Sequence, residues 1–540
     1  MTERQTQTAA YWGTAFAIEE SDLDFLYNLL LEEETPLSSR EMALAIIERR
    51  VEREAQAALR RESGTTLFLP KDAYEVGRQL VFPALDYASG TVAAVRPGRN
   101  PEYPDFDVLQ IDFGEGRPTR EFAARLAEHK LNSQEQPAGM GEAKAPDALF
   151  AEYGADITAK LEARLEANPE IVRLAGRWFP RALLATVNMG HLNLAEAVLD
   201  MAGGGPLPTD DLLKDTALPA NVNPRLQAFS LNYALQQDTR FDEVGPAGQV
   251  LWYLRRLEPP EVLYPPRRLE NSAPEYDRSR LTPTLLALER QLDDEFTPTR
   301  AQALASADGN GANHGADAPA SEIQVTLTFP HRRVGTLPLS PRLLPLFPTA
   351  VVTPRVRFIF VDGETGDKFP GWVMRQGRYV FGLDEWYKAM DFPVGGYLKV
   401  RAGDKPGEVV VRAPKHRPTR EWVRTATAGL EGRLSFTMQK QLIGVDYDEL
   451  MMVAAGDQTH VDDIWLKSQS QPFAGLVAHV FRELAKLNPQ SAVHAKTLYA
   501  AVNVARRSPP GAIFAELVSH PYYVLVGDDY WRFDQSEWTE

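Results

Sequence analysis

Apolar positions change period several times along this chain, and each change marks an element. Leu23, Phe25, Leu26, Leu29 and Leu30 recur at helical spacing. Thr35-Pro-Leu-Ser-Ser39 is a turn with helix-capping residues, and a charged amphipathic helix is predicted from there to about Arg61. That pair reads either as a plain helical hairpin or as half of a helix-turn-helix. Residues 65–113 shift to strand-like runs at Leu67–Leu69, Gln79–Phe82, Thr91–Val95 and Phe106–Phe113, separated by Gly, Pro and Asn turns. They predict a small SH3-like β-barrel, followed by a helix over 118–130. From Ala151 to about Asp200 the helical period returns, with helices expected at Ile157–Ala167, Ile171–Trp178, Pro180–Thr186 and Leu192–Asp200. Residues 258–275 are rich in Pro and Arg and read as extended, and a helix is expected at about 282–294. Strands are expected at Ile323–Phe329, Val356–Val361, Trp372–Arg375, Tyr379–Leu383, Tyr397–Val400 and Glu408–Arg412, with a short helix near Asp384–Met390.

Two stretches end alike. Arg240-Phe-Asp-Glu-Val-Gly245 followed by Leu251-Trp-Tyr-Leu-Arg255, and Tyr522-Tyr-Val-Leu-Val-Gly527 followed by Tyr530-Trp-Arg-Phe533, each read as an aromatic hairpin behind a set of short helices. The helices expected are Leu192–Met201, Thr209–Lys214 and Pro224–Gln237 for the first, and Phe473–Leu487, His494–Arg506 and Ala512–Val518 for the second. Helices closed by a β-hairpin describe a winged helix, in which Trp252 and Trp531 are hairpin core residues. At 540 residues the chain is too long for one core. The expected fold class is α+β multidomain, with winged-helix modules and small β-barrels. The expected organisation is a helical pair and small barrel at 1–130, a linker at 131–150, a helical region with a winged helix at 151–257, extended chain and linker at 258–320, a basic β-barrel at 321–455 and a C-terminal winged helix at 456–540.

These two stretches resemble the HARE-HTH winged-helix family, which includes the bacterial RNA polymerase delta subunit. The residues that carry the resemblance are Leu194-Ala-Glu-Ala-Val-Leu199, Gly205-Pro-Leu-Pro-Thr-Asp-Asp-Leu-Leu213, Phe241–Gly245 and Leu251–Leu254 in about 190–257, and Tyr523–Gly527 with Tyr530-Trp531 in about 472–534. The second stretch departs from the pattern at Ser508-Pro-Pro-Gly511. The resemblance implies association with nucleic acid or polymerase and supplies no catalytic residue. Over 322–424, Leu337-Pro-Leu-Ser-Pro, Arg355–Asp362, Gly366, Trp372–Arg375, Gly382–Trp386 and Val394-Gly-Gly-Tyr-Leu398 resemble the rhythm of B3-type DNA-binding pseudobarrels, with Gly396 where Asp is typical.

Charge sharpens this picture. The chain totals −16, yet His331–Lys440 holds 19 Lys and Arg against 10 Asp and Glu, a net of +9 that leaves −25 for the remainder. A basic segment between acidic neighbours suits a phosphate-bearing partner, with the acidic parts suppressing non-specific binding or facing a basic protein. Candidate nucleic-acid contacts are Arg332, Arg333, Arg355, Arg357, Arg375, Arg378, Lys415, Arg417, Arg420 and Arg424, with Arg412–Arg420 as the densest basic loop. Arg355 and Arg357 alternate with Val356 and Phe358 and so share a face. Lys496, Asn503, Arg506 and Arg507 are the candidates on the C-terminal module, where Asn503 suits adenine. In the first stretch Arg225, Gln227, Asn232 and Gln236 are available, but Thr209-Asp-Asp211 is acidic and would repel phosphate.

Zero cysteines exclude disulfides, thiolate metal sites and a cysteine nucleophile. No phosphate loop, His-Glu-x-x-His or Gly-x-Ser-x-Gly motif occurs. A nuclease reading has Pro104-Asp105, Asp112 and Glu142-Ala-Lys144, with the last two in an expected linker. No metal or other cofactor is expected, and the chain reads as non-enzymatic. The N-terminus lacks a signal peptide's basic start and apolar stretch, and no apolar run approaches the ~20 residues of a membrane span. A cytoplasmic, membrane-free protein is expected. The expected partner is DNA, in transcription or its regulation. The alternative is an interaction scaffold docking on RNA polymerase or another complex, and the third reading is a nuclease or restriction component.

Overall fold

The computed structural model describes residues 5–62, 66–82, 85, 88–99, 106–114, 118–126, 129, 132, 144–216, 218–219, 221–298, 322–350, 353–429 and 432–538. Residues 301–320 of the extended chain and linker expected at 258–320 lie outside them, as do 133–143 of the linker expected at 131–150. The chain is a multidomain α+β protein that divides into two compact units, Met1–Thr186 with Pro219–Ser230, and Val187–Leu218 with Leu231–Glu540.

In the first unit, helix Glu20–Glu33 opens with a capping box in which the Glu19 amide donates to the Asp22 carboxylate. Helix Ser39–Glu62 follows strand Leu37–Ser38, and helix Pro146–Glu166 leads into the hairpin Ile171–Leu174/Arg177–Pro180. Chain segments far apart meet here: the Trp178 indole donates to Ser39 Oγ at 2.9 Å, and Ser39 Oγ donates to Glu162 at 2.6 Å. The hairpin corrects the helices expected over Ile171–Trp178 and Pro180–Thr186. Ala175 (φ +47°) and Gly176 (φ +76°) make a turn whose two positive φ values suit antiparallel strands, and Trp178 and Phe179 are then buried.

Between the second and third helices sits a sheet of five strands in chain order, Thr66–Leu67, Gln79–Phe82, Ala88–Pro97, Asp107–Asp112 and Arg120–Ala124. The helix expected over 118–130 is therefore a strand at 120–124, pairing with 107–111. The sheet is open rather than a closed SH3-like barrel. Among the described residues its edge strands share no ladder, although the amides of Arg125 and Leu126 donate to the carbonyls of Asp72 and Pro70. Helix Pro146–Glu166 starts inside the expected linker, with Pro in its first turn, where a missing N–H costs nothing.

Two further runs of helix, short strand, two helices and hairpin lie mainly in the second unit. One has helices Met189–Met201, Thr209–Thr216 and Pro224–Gln237 with strands Leu207–Pro208, Phe241–Glu243 and Leu251–Leu254; the other has helices Phe473–Ala485, Ala495–Ala505 and Pro510–Ser519 with strands Ala492–His494, Tyr523–Gly527 and Tyr530–Phe533. In both, as in the first unit, the three-stranded sheet places the third strand between the first and second. Trp252 and Trp531 are buried as expected. Trp252 donates to Asn232 Oδ1 at 2.7 Å, and Thr209 Oγ1 donates to the same oxygen at 2.6 Å. Asn232 is thus a buried core acceptor, not a surface contact.

Residues 323–412 form an open seven-stranded mixed sheet. Its order is Ile323–Thr326, Tyr397–Ala402, Glu408–Arg412, Arg355–Asp362, Lys368–Met374, Tyr379–Phe381 and Thr336–Pro338. Short helices Phe329–Val334 and Asp384–Ala389 follow its first and fifth strands in chain order. The Trp386 indole donates to Asp362 at 2.7 Å and the Tyr387 hydroxyl to the Thr336 carbonyl at 3.0 Å, which fixes the second helix to the sheet. Gly382 (φ +125°) precedes that helix, where a Cβ would collide with the Pro370 carbonyl oxygen. The expected strand at Phe329 ends earlier, because Pro330 at the first helical turn and Gly335 at its end bound a helix instead.

A buried polar cluster closes this unit. Arg507, 1% exposed, donates through Nη2 to Asp294 (2.6 Å), through Nε to Glu295 (3.2 Å), and through Nη1 to Asn503 Oδ1 (2.9 Å) and the Ser508 carbonyl (3.0 Å). Tyr499 donates to Asp294, His331 Nε2 lies 3.2 Å from Glu295, and Ser340 donates to Asp293 at 2.6 Å. Burial alone would raise both carboxylates. At Glu295, Arg507 and His331 outweigh it and hold the carboxyl well below the usual range. At Asp294 burial wins over Arg507, and the pKa is raised. Arg507→Ala strands these acids without their cation, so it should cost about 3–5 kcal/mol of folding free energy in urea denaturation. A loss below about 1 kcal/mol would show that the cluster carries little of the stability.

Candidate nucleic-acid interface

Beyond the seven-stranded sheet the chain enters a long hairpin, Lys415–Ala428 paired with Leu434–Val445, with Val453–Ala455 added parallel to the first strand. The run Arg412–Arg420 is therefore largely strand rather than loop. Pro418 falls within it, and the pairing slips between Lys415 and Thr419, as an irregularity must where a strand residue lacks an N–H. From Thr419 onward the register is regular. Arg420 faces Leu442, Trp422 faces Lys440 and Arg424 faces Met438, all on one face. The opposite face buries Val423 and Ile443 against Met452.

The open face carries Trp422, 60% exposed, and Leu442, 61% exposed. The Lys440 ammonium lies 5.1 Å from the centroid of the Trp422 ring. Arg417 and Arg420 are exposed, and neither they nor Lys440 form an ion pair among the described residues. Lys415 is paired with Glu364. Arg424 donates to the Glu449 carbonyl, and burial lowers its pKa against the pull of Glu449 and Asp448.

The other candidates are held by the protein itself. Arg332 donates to the Phe392 carbonyl at 2.6 Å and Arg333 to Asp462 at 2.8 Å. Arg355 and Arg357 do not share a solvated face as the alternation suggested. Arg355 is clamped by Asp242 (2.7 Å) and Glu258 (3.0 Å), and Arg357 donates to the Phe358 carbonyl and lies over Trp372. Both sit where the sheet packs on residues 242–262, and the Arg357 amide donates to the Val244 carbonyl there. Arg375 is exposed and donates to the Thr353 carbonyl at 2.7 Å, while Arg378 is half-buried in a turn at φ +52°.

The C-terminal candidates are corrected most firmly. Every residue of helix Ala495–Ala505 is buried. Lys496 pairs with Asp448 at 3.0 Å. Asn503 donates to the Tyr499 and Ser508 carbonyls and is 2% exposed, so it cannot reach a base edge. Arg506 donates to Ser272 and to the Gln471 carbonyl, and Arg507 belongs to the buried cluster. The third helix of this module is covered too: a Cβ on Gly511 would collide with the Tyr276 hydroxyl. These residues fasten the module to residues 272–297 and present nothing to a ligand.

Trp422, Lys440 and Leu442 were absent from the sequence candidates. Their signal was legible in the alternation Arg420-Glu-Trp-Val-Arg-Thr-Ala and Phe436-Thr-Met-Gln-Lys-Gln-Leu442, which has strand period. Of the nuclease set, Asp105 and Glu142 lie outside the described residues, and Asp112 is exposed at a strand end. Among the described residues no group of three or more His, Cys, Asp or Glu could hold a metal, and no helix is long and apolar enough to cross a membrane. No model of a known protein family, no curated protein and no solved structure matches the chain.

The Arg355 clamp titrates. Burial, reinforced by Asp242, pushes Glu258 up to about 8, and burial also raises Asp242 against the pull of Arg355. In the folded state the pair retains a proton that an unfolded glutamate, with its pKa of ~4.3, has lost. Stability from this proton is fully present below ~4.3 and falls as pH rises to about 8. The urea midpoint should therefore drop between mildly acidic and mildly alkaline buffer. Glu258→Gln, which carries its hydrogen permanently, should flatten that drop; equal slopes in both proteins would place the titration elsewhere.

Proposed function

We propose that this chain is a non-enzymatic nucleic-acid-binding protein, associated with transcription or its regulation. In this reading three winged-helix modules and a B3-like pseudobarrel form the scaffold, and the basic hairpin at 415–445 makes the principal contact. One observation carries the reading. Arg417, Arg420 and Lys440 are exposed cations without ion-pair partners among the described residues, and they sit on one hairpin of a chain whose total charge is −16. Three exposed cations grouped on one element of an otherwise acidic protein favour a polyanion at that element.

The scaffold assignment is supported by the helix–strand–helix–helix–strand–strand order that recurs three times with the third strand central in each sheet. For the pseudobarrel, the support is that Leu337-Pro338, the Asp362–Gly366 turn, the Gly382–Trp386 segment and the Val394–Gly396 turn fall on successive elements of one open sheet.

A second reading, docking on a protein complex such as RNA polymerase, is favoured by the winged-helix modules themselves. In the first, the third helix carries Asp147, Glu152, Asp156, Glu162 and Glu166 against Lys160 and Arg164. In the last, the third helix is buried. Neither suits a phosphate backbone, and an acidic helix suits a basic protein surface.

Fluorescence anisotropy of the full chain with labelled duplex DNA across a salt series tests the main reading. Affinity should fall steeply with salt, and the double variant Arg417→Gln/Arg420→Gln should lessen the log–log slope by about 2. Absence of salt-sensitive binding to duplex or single-stranded probes would exclude nucleic acid and leave the docking reading.

A further inference from the structure

A nucleic-acid contact through phosphates alone needs cations and no exposed tryptophan. The hairpin has both. Exposing a Trp and a Leu side by side in mid-strand forgoes about 25 cal/mol for each Å² of apolar surface left in water. Single exposed apolar residues are ordinary. Here Trp422, Leu442 and Met438 lie together on one face, at 60%, 61% and 38% exposure, with Arg420 and Lys440 interleaved. Their backs are not needed for the core, because Val423, Ile443 and Met452 supply it from the other face.

We infer that this face is a stacking platform for unpaired bases of a single-stranded nucleic acid, with Trp422 beneath the base and Arg420, Lys440 and Arg417 along the phosphates. The inference rests on the nucleic-acid reading above and names the form of nucleic acid that this surface takes. Charge complementarity selects the occupant. An apolar protein groove or a second copy of this chain would meet three unpaired cations, whereas a single strand offers an aromatic face and a negative charge at every nucleotide. A duplex keeps its base faces stacked inside and offers this ring nothing to lie on except at an end or a flipped-out nucleotide. The first strand, Lys415–Ala428, is 14 residues long and so extends over about 45 Å, room for several nucleotides. A flat ring does not read the sugar 2′-hydroxyl, so single-stranded DNA and RNA are both ligands of this surface.

The test uses the full-length protein with labelled oligothymidylate, oligouridylate and a mixed-sequence duplex. Trp422→Ala should weaken binding of at least one of the single strands about 10-fold, while changing duplex affinity less than twofold. Trp422→Tyr, which keeps a stacking ring, should restore most of the loss, and the thermal midpoints of all three proteins should agree because the side chain is exposed. If Trp422→Ala binds single strands as the unaltered protein does, the platform is wrong even where duplex binding persists. If it weakens duplex and single strands alike, the ring acts as a general wedge or support and the inference also fails. If the unaltered protein binds no probe, both this inference and the nucleic-acid reading fall.

Discussion

Burying a guanidinium is tolerable only when carboxylates surround it, and the larger unit of this protein is organised around that condition at Arg507. Its partners come from three separate places: Asp294 and Glu295 in the segment after helix Pro283–Leu292, Asn503 on a neighbouring helix, and His331 through Glu295 on the first helix of the open sheet. Such a cluster is directional in a way that apolar packing is not. The surrounding core, from Leu285 and Phe329 to Tyr499 and Phe514, is close-packed but holds no directional bonds of this kind. The hydrogen bonds fix the cluster in place, because each one broken leaves a buried charge unsatisfied.

That constraint bears on the candidate interface. The turn end of the hairpin, Ala426, Leu434 and Phe436, belongs to the same apolar core as the C-terminal helices, Ser435 donates to Glu483 at 2.8 Å and His479 bonds the Leu434 carbonyl, while Val445 at the other end packs in the core of the seven-stranded sheet. The hairpin therefore stands on a rigid footing. Two-stranded ribbons are marginal by themselves, and a recognition surface built on one needs such an anchor to keep its side chains in register. The cations of this half sort by the same logic. Lys415 and Arg424 are taken up by Glu364 and the Glu449 carbonyl, and Arg417, Arg420 and Lys440 between them stay in solvent.

Much of this fold was legible in the sequence. The helices and hairpins of the modules at 189–254 and 473–533 follow from sustained apolar periodicity and Gly turns. The strands of the seven-stranded sheet follow from alternation at Arg355–Asp362 and its neighbours. What was not legible has identifiable causes. The hairpin at 171–180 has strand formers at Ile171, Val172, Trp178 and Phe179, but its strands are only four residues each, too short to show a period, and it is decided by the Ala175-Gly176 turn. The N-terminal repeat of the helix–strand–helix–helix–strand–strand order was hidden because a five-stranded sheet is spliced into it. For the candidate site, formal charge pointed to the segment that contains the exposed hairpin cations. It could not separate Arg417 and Arg420, which stay exposed, from Arg355, Arg506 and Arg507, which are bound by groups 97 to 234 positions away. Tertiary partners decide which cations remain available, and one sequence does not list them.

The spliced sheet sets a timetable for the first unit as it is made. Ser39 and Trp178, which share a hydrogen bond, are 139 positions apart. A ribosome adding about 5–20 residues per second exposes helix Ser39–Glu62 roughly 7–30 seconds before the hairpin that covers it. During that interval the five-stranded sheet, whose strands are all neighbours in sequence, has every contact it needs. It can form first and act as a spacer that keeps the waiting helices near the point where their partners emerge.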